Sequence, residues 1–267
     1  GRVSDIAVDP ADHSRRFVTV ASGGVWRTTN SGTTWEPVFD DEGSYSIGCV
    51  TIDPTNNDTV WVGTGENVDG RHVGFGDGVY KSLDGGKTWK NMGLKNSDHI
   101  GRIVVDPRDS NVVYVAAKGP LWSSGGDRGV YKTVDGGENW ELVLEGENEW
   151  TGCNEVIMHP ENPDILFAAM HQRHRTVAAL INGGPGSGIF KSTDAGATWR
   201  ELKVGLPGAD MGRIGLAISP IKPDVVYATI ELARREGGFY RSTNGGESWE
   251  KRSDYITIIS APSTCWW

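Results

Sequence analysis

One eight-residue motif occurs five times in the chain, and every copy ends in tryptophan. Each copy begins with Ser or Thr, carries Asp or Asn at its third position and Gly at its fifth. The five tryptophans are Trp35, Trp89, Trp140, Trp199 and Trp249, with spacings of 54, 51, 59 and 50 residues. A fixed period near fifty residues predicts an array of one repeated structural unit.

The third repeat shows most clearly what that unit contains. Four short β-rich runs, 100–105, 111–117, 129–133 and 140–144, are separated by Gly, Pro, Asn and Asp. Such runs predict four antiparallel strands, here named A to D, with the motif as the turn between C and D. Four antiparallel strands per repeat form one propeller blade. The sequence therefore predicts an all-β propeller of five four-stranded blades over residues 1–254, followed by an atypical tail, 255–267, with a possible strand at 255–260.

The motif has a structural explanation. Asx and hydroxyl side chains bond to nearby backbone in turns, and Gly supplies positive φ. The tryptophan ring offers a large apolar surface to bury between blades. We therefore assign a structural role to the third residue of each copy, namely Asp84, Asp135, Asp194, Asn30 and Asn244.

The motif and its surroundings resemble the Asp-box, or BNR, repeats of sialidases, xyloglucanases and sortilin-type propellers. Segments 24–29, 76–82 and 183–192 are more similar to bacterial sortilin-like proteins that are often labelled glycosyl hydrolases. The resemblance covers residues 1–254 and implies the propeller fold. It also implies that the five repeats are the first blades of a larger array, in which case the five alone need not close a ring.

Charge and composition exclude some functions. The chain has 26 basic and 35 acidic residues, for a net charge of −9, which argues against binding to a nucleic acid backbone. No apolar run is long enough to span a membrane. Cys49, Cys153 and Cys265 predict neither a disulfide framework nor a zinc site. The chain begins with Gly1, so we expect a removed leader and a secreted or periplasmic protein.

Strand direction divides the propeller into two rims. The Asp-box turns lie on one rim, and the B–C and D–A loops lie on the other with the start of strand A. This second rim is called the loop rim. It carries three glutamates as candidates for the acid and base of a hydrolase, namely Glu66, Glu155 and Glu231. Glycosidases need two carboxyl groups that face each other across the sugar bond. Structural ion pairs are the alternative role for these side chains.

Cationic and aromatic residues on the loop rim are candidates for substrate binding. They are Arg71, Arg102, Arg213, Lys118, Trp122 and Trp150. Arginine binds carboxylate or phosphate with two parallel hydrogen bonds, and tryptophan stacks on sugar rings. The competing interpretation is that the arginines, with Arg2, pair with Asp5, Glu155 or other carboxylates between blades, and that the tryptophans only cover the hub.

Four histidines on the same rim are candidates for binding a divalent metal. They are His72, His99, His171 and His174. Neutral imidazoles beside a carboxylate suit zinc or a similar ion, although the His-x-x-His spacing falls on a predicted loop. No cofactor is certain from the sequence.

Three functions remain open at this stage. The first is a hydrolase with a polar site at the funnel, acting on a glycoside or other ester-type substrate. The second is a non-catalytic propeller that binds a glycan or a peptide. The third is a metal-assisted phosphoester hydrolase. Self-association is expected if the ring is open, because exposed sheet faces favour pairing with another copy.

Overall fold

A computed structural model describes residues 2–233 and 236–254. It contains 21 strands within those residues and folds them into five antiparallel sheets, one for each repeat. The predicted tail, 255–267, lies outside the described residues. Each sheet is one blade, and the strand order within the blade follows the chain. The prediction of a five-bladed all-β propeller is therefore confirmed.

The blades contain the following strands. In blade 1, β1 to β4 are Val3–Val8, Arg16–Val20, Val25–Thr28 and Glu36–Pro37. In blade 2, β5 to β8 are Ile47–Ile52, Val60–Thr64, Val79–Ser82 and Lys90–Gly93. In blade 3, β9 to β12 are Ile100–Val105, Val113–Ala117, Gly129–Thr133 and Glu141–Leu144.

Blades 4 and 5 complete the described chain. In blade 4, β13 to β17 are Thr151–Met158, Leu166–Arg175, Leu180–Asn182, Gly188–Ser192 and Arg200–Leu202. In blade 5, β18 to β21 are Met211–Ile218, Val226–Leu232, Gly238–Ser242 and Glu250–Ser253. Blade 4 differs from the simple pattern because β14 is long and pairs at its far end with the additional strand β15.

The Asp-box turns are built alike in all five blades. In blade 3, Thr133 Oγ1 accepts a hydrogen bond from the Gly137 amide at 3.0 Å and donates to Asp135 Oδ1 at 2.7 Å. Asp135 Oδ1 also accepts the Asn139 amide at 3.0 Å. In blades 1 and 5, Asn30 and Asn244 accept the corresponding amides at 2.9 and 3.0 Å. The carboxamide therefore replaces the carboxylate in this turn.

Consecutive blades are joined by one repeated junction. An aromatic residue of strand B packs against the glycine at the fifth position of the next Asp box. A cation of strand C donates a hydrogen bond to the carbonyl of the residue before that glycine. The aromatic pairs are Phe17 with Gly86, Trp61 with Gly137, Tyr114 with Gly196 and Phe167 with Gly246. The cation pairs are Arg27 with Gly85, Lys81 with Gly136, Lys132 with Ala195 and Lys191 with Gly245. Four apolar clusters, one at each junction, form the core.

The fifth blade has the same two residues but no Asp box to receive them within the described chain. Tyr227 is only half-buried, and Nε of Arg241 is buried with no hydrogen-bond partner. At the other end, Val3 and Ile6 of β1 are each 57% exposed. Within the described residues, the outer junction faces of blade 5 and blade 1 therefore lack the partner that each of the other junctions has.

Candidate functional site

A cavity of about 310 Å³ lies at the hub, where the inner strands of the blades begin on the loop rim. Its wall is strongly charged: three arginines and three carboxylates line it, namely Arg2, Arg102, Arg213, Asp5, Glu66 and Glu155. Clefts of about 300–1,000 Å³ with a few convergent polar groups are typical of small-molecule sites. We call this cavity the hub pocket.

Glycines let the inner strands approach closely enough to form the hub pocket. A Cβ on Gly48 would lie 2.2 Å from the Ile100 carbonyl oxygen, and one on Gly101 would lie 2.2 Å from that of Asn154. Any side chain at either position would therefore push the neighbouring blade away. The residue after each glycine, Cys49 or Arg102, contributes to the wall of the pocket.

Glu66 is held in place by its own loop and by two neighbouring blades. Gly65 has a φ of 81°, a conformation that favours glycine. The Glu66 amide donates to Ser46 Oγ at 3.0 Å, and the Glu66 carbonyl oxygen lies 3.0 Å from Nδ1 of His99. The Arg2 guanidinium donates two hydrogen bonds of 2.7 Å to the Glu66 carboxylate. Glu66 is consequently a fixed, paired carboxylate on the pocket wall.

Glu155 occupies a β-bulge of β13, and its carboxylate reaches toward the next blade. Its Oε2 accepts the backbone amide of Leu216 at 3.1 Å. Asp5 has the corresponding place on β1 and accepts the Val50 amide at 3.1 Å. Burial raises the pKa of Glu155, and the Leu216 amide and nearby arginines only partly offset this effect. Glu155 therefore keeps its proton to a higher pH than an exposed glutamate does.

The three arginines of the pocket differ in how fully they are paired. Arg2 binds Glu66, whereas Arg102 Nη1 lies 4.0 Å from Asp5 Oδ2. Arg213 makes no ion pair within the described residues, and its Nη1 is buried without a hydrogen-bond partner. The interpretation of the arginines as structural ion pairs therefore fits Arg2 well, Arg102 weakly and Arg213 not at all.

A buried ion cluster supports the loop that carries Glu66. Asp69 Oδ1 accepts hydrogen bonds from Lys118 Nζ at 2.9 Å and from the Arg173 guanidinium, and all three side chains are fully buried. Burial alone would raise the pKa of Asp69, but Lys118 and Arg173 hold it well below its ordinary value. Arg173 also donates to the Gly119 carbonyl at 2.9 Å. The cluster links blades 2, 3 and 4 behind the hub pocket.

A second cavity of about 380 Å³ adjoins the hub pocket and shares Arg2 and Glu66 with it. Tyr45 and His72 also line this second cavity. The Arg2–Glu66 pair therefore stands between two hollows that together form the funnel mouth. A ligand longer than one sugar ring would have room on both sides of that pair.

Comparisons with known proteins agree with this architecture. A family model described as Sortilin, neurotensin receptor 3 matches residues 23–154, and the BNR/Asp-box repeat model matches residues 240–251. The xyloglucanase Xgh74A of Acetivibrio thermocellus is 27% identical over 218 residues, which cover 74% of this chain and 25% of the enzyme. A xyloglucanase of Hypocrea jecorina is 22% identical over 312 residues, covering 99% of this chain and 35% of the enzyme.

Solved structures show the same fold. An ancestral GH74 enzyme superposes with a TM-score of 0.73 at 20% identity, covering 94% of this chain and 31% of that protein. The GH74 xyloglucanase from Xanthomonas campestris has a TM-score of 0.68 at 20% identity, covering 94% and 38%. The chain is a BNR/Asp-box propeller related to xyloglucanases. It spans only about a quarter to a third of the length of the curated relatives named above.

This BNR/Asp-box propeller brings together two of the three predicted acid–base residues. Glu66 and Glu155 line the hub pocket, whereas Glu231 does not. Glu231 lies on β19 and accepts a hydrogen bond from Asn182 Nδ2 at 2.9 Å, in a separate part of the loop rim. The pairing of Glu66 with Glu155 is therefore the version of the acid–base hypothesis that the geometry allows.

The predicted substrate-binding residues of the propeller are more scattered. Arg102 and Arg213 line the hub pocket, but Lys118 is fully buried in the Asp69 cluster. Arg71 is exposed outside the pocket, and Trp122 lies at the surface with 36% of its area accessible. Trp150 stacks on the His174 ring with centroids 3.9 Å apart. Neither tryptophan is part of the pocket wall.

The four predicted metal-binding histidines do not converge in the propeller. His72 lies on the surface, His99 contacts the Glu66 carbonyl, His174 stacks on Trp150, and His171 is buried near the Asp69 cluster. Within residues 2–233 and 236–254, no group of three or more His, Cys, Asp or Glu side chains could hold a metal ion. Burial also lowers the pKa of His171 and of His99 well below the ordinary value, so both rings are neutral.

Sequence reasoning missed Asp69, a fully buried carboxylate next to the site. Asp69 lies in the B–C loop of blade 2, and the B–C loops differ between repeats, so no alignment singled it out. The need for a carboxylate follows from the burial of Lys118 and Arg173, which only the structure shows. Asn67 was also missed; it lines the hub pocket, and its Oδ1 is buried without a partner.

The described part of the chain contains no helix whose length and hydrophobicity would let it cross a lipid bilayer. Cys49 and Cys153 are buried free thiols, and Cys265 lies outside the described residues.

Proposed function

We propose that this chain is the glycan-binding part of a glycoside hydrolase-type propeller and that its hub pocket carries the acid–base pair. The observation that carries the proposal is that Glu66 and Glu155 line one cavity with different partners. Glu66 is paired with Arg2, and burial raises the pKa of Glu155. Acid–base glycoside hydrolysis requires two carboxyl groups, one of which keeps its proton. The sequence similarity to xyloglucanases supports a β-glucan as the first substrate to test.

In this mechanism each residue has a separate task. Glu155 holds the proton that is delivered to the oxygen of the departing sugar, because its protonated form persists to higher pH than an exposed glutamate would allow. Glu66 presents a carboxyl group that the Arg2 guanidinium keeps in one orientation through two hydrogen bonds. It would act on the water, or on the anomeric carbon, at the opposite side of the ring. Arg102 and Arg213 would hold the sugar in the pocket.

The test measures turnover of xyloglucan and of a panel of chromogenic glycosides by the wild-type chain, Glu155→Gln, Glu66→Gln and Glu231→Gln. Removal of a general acid typically costs about 10²–10⁴-fold in rate. We expect losses of that order for the two pocket variants and a small effect for Glu231→Gln, which is the matched control. Equal activity in Glu155→Gln and the wild type would contradict the proposed role of Glu155.

A specific observation also favours the non-catalytic alternative. Both pocket glutamates already have structural bonds, Glu66 to Arg2 and Glu155 to the Leu216 amide. A pocket of this kind could recognise a glycan without cleaving it. Absence of turnover on every glycoside, together with saturable binding of a xyloglucan oligosaccharide, would replace the hydrolase proposal with a glycan-binding one. If peptides but no glycans displaced a reporter ligand from the hub pocket, peptide binding would become the proposed function.

A metal-assisted phosphoester reaction needs side chains that hold the metal ion, and the described residues contain no such group. The primary assay therefore tests glycosides and not phosphoesters. Secretion or export to the periplasm remains part of the proposal, since a protein that acts on polymeric glycans must reach them outside the cytoplasm. Cell fractionation of the native host, with detection of this chain, would test that location.

A further inference from the structure

The hub pocket contains one unsatisfied donor and one unsatisfied acceptor. Nη1 of Arg213 is buried without a hydrogen-bond partner, and Oδ1 of Asn67 is also buried without one. Both side chains line the same cavity. A buried charged donor without an acceptor is costly, so native proteins rarely retain one unless a ligand or another group satisfies it. The two atoms therefore indicate which groups a ligand must bring to the pocket.

Arg213 has no carboxylate in direct contact among the described residues. Arg2 is paired with Glu66, and Asp5 is the carboxylate nearest to Arg102. Glu155 attracts Arg213 only at longer range and forms no ion pair with it.

We propose that Arg213 binds the carboxylate of an acidic sugar, a uronic acid residue, in the hub pocket, while Asn67 accepts a hydrogen bond from one of its hydroxyl groups. The inference rests on the proposed function, because it assumes that the pocket holds a sugar, and it names the class of that sugar. A guanidinium matches a carboxylate with two parallel hydrogen bonds. Arg102, which lies on the same wall and is only weakly paired, is the second cation near the carboxylate.

A monoanionic sugar fits the pocket better than a phosphate does. Asp5, Glu66 and Glu155 face the same cavity and would repel a dianion. The same carboxylates can accept hydrogen bonds from sugar hydroxyl groups, which a phosphate does not offer. One carboxylate and several hydroxyl groups on one ring correspond to the donors and acceptors that the wall presents.

The test compares methyl β-glucuronoside with methyl β-glucoside, which differ at the carboxylate, by ligand-observed NMR titration of the intact chain. We expect the wild-type chain to bind the glucuronoside tighter by about tenfold or more, the factor that one charge-assisted hydrogen bond supplies. Arg213→Gln should reduce this preference to about twofold or less, and the ratio of the two dissociation constants is the readout because Arg213 contributes to the binding of both sugars. Arg213→Lys keeps the charge but loses the paired hydrogen bonds, so it should show an intermediate preference.

Arg241→Gln is the matched control. Arg241 belongs to the same blade and also has a buried, unpartnered nitrogen, but it lies on β20 outside the hub pocket. This variant should keep the full preference for the glucuronoside. Equal binding of the two sugars by the wild type, or an unchanged preference in Arg213→Gln and Arg213→Lys, would overturn the acidic-sugar inference and leave the proposed function intact. Failure of the wild type to bind either sugar or a xyloglucan oligosaccharide would overturn both.

Discussion

The pKa shifts of the Asp-box aspartates and of Glu155 in the hub pocket have opposite signs. Hydrogen bonds from Thr198 and Ser192 lower the pKa of Asp194 to about 2, and the pKa values of Asp84 and Asp135 are also strongly lowered. In the hub pocket, burial instead raises the pKa of Glu155. The turns stabilise the ionised form of their aspartates, whereas burial in the pocket disfavours the ionised form of Glu155. This difference separates carboxyl groups that support the fold from one that is suited to proton transfer.

The largest expected effect comes from breaking a blade junction on the Asp-box rim. Trp61 is fully buried against Gly137 of the next box, and truncation of a buried tryptophan typically costs about 3–5 kcal/mol. Trp61→Ala should lower the free energy of unfolding by that amount, as measured by urea denaturation. Tyr227→Ala alters the corresponding residue on the outer junction face of blade 5 and should cost about 1 kcal/mol or less. Similar losses in the two variants would mean that blade 5 does have a packing partner.

A smaller effect of opposite sign is expected in the hub pocket. The folded-state pKa of Glu155 lies above its unfolded value, so its contribution to stability is complete at low pH and is lost as pH rises through the folded pKa. Asp5, Arg102 and Arg213 are the charged groups that act on it. Glu155→Gln should therefore raise the urea midpoint at pH 7 and have little effect at pH 4. Gln can still accept the Leu216 amide.

Glu66→Gln provides the contrast within the same pocket. It removes the charge that pairs with Arg2, so its urea midpoint at pH 7 should fall rather than rise. An increase in both variants would indicate that the pocket responds only to total negative charge. A decrease in Glu155→Gln would contradict the raised pKa.

The smallest effect at neutral pH is expected on the Asp-box rim itself. Asn30 and Asn244 already make the turn in blades 1 and 5, so Asp194→Asn should leave stability at pH 7 nearly unchanged. Asp194 has a lowered folded-state pKa, so its contribution is present above about pH 4 and is lost as pH falls toward 2. The variant should lose less stability than the wild type across that interval, measured by thermal unfolding. Asp210→Asn, in an exposed loop, serves as the control and should show the wild-type decline.

The fold could be predicted because its determinants are local and repeated. The hydrogen bonds that Thr133 and Asp135 make in the turn lie within one eight-residue motif. Each of the five copies of that motif in the sequence therefore predicts the same turn. The inner-strand register was also readable. Counting five residues back from the proline that closes strand A gives Asp5, Cys49, Arg102 and Glu155, which line the hub pocket, and Gly215, which does not.

The site was less predictable because its details depend on contacts between different repeats. Lys118 and His171 occupy rim positions in the alignment, yet both are fully buried. Lys118 is buried because its ammonium group pairs with Asp69 from another blade. Glu66 and Glu231 resemble each other in sequence position but have different partners, Arg2 and Asn182. Sequence spacing along one repeat contains no information about which blade supplies the counter-charge.

The glycines that begin the inner strands have a consequence for the evolution of new specificities. Gly48 and Gly101 set the distance between blades through backbone contact, so the diameter of the hub does not depend on the side chains that follow them. Arg102, which follows Gly101 and has a half-exposed side chain, can therefore vary in charge and size without forcing the blades apart, whereas Cys49 is buried in the apolar core and cannot. Randomising Arg102 together with Arg213 should yield a library in which most members fold and only ligand preference diverges.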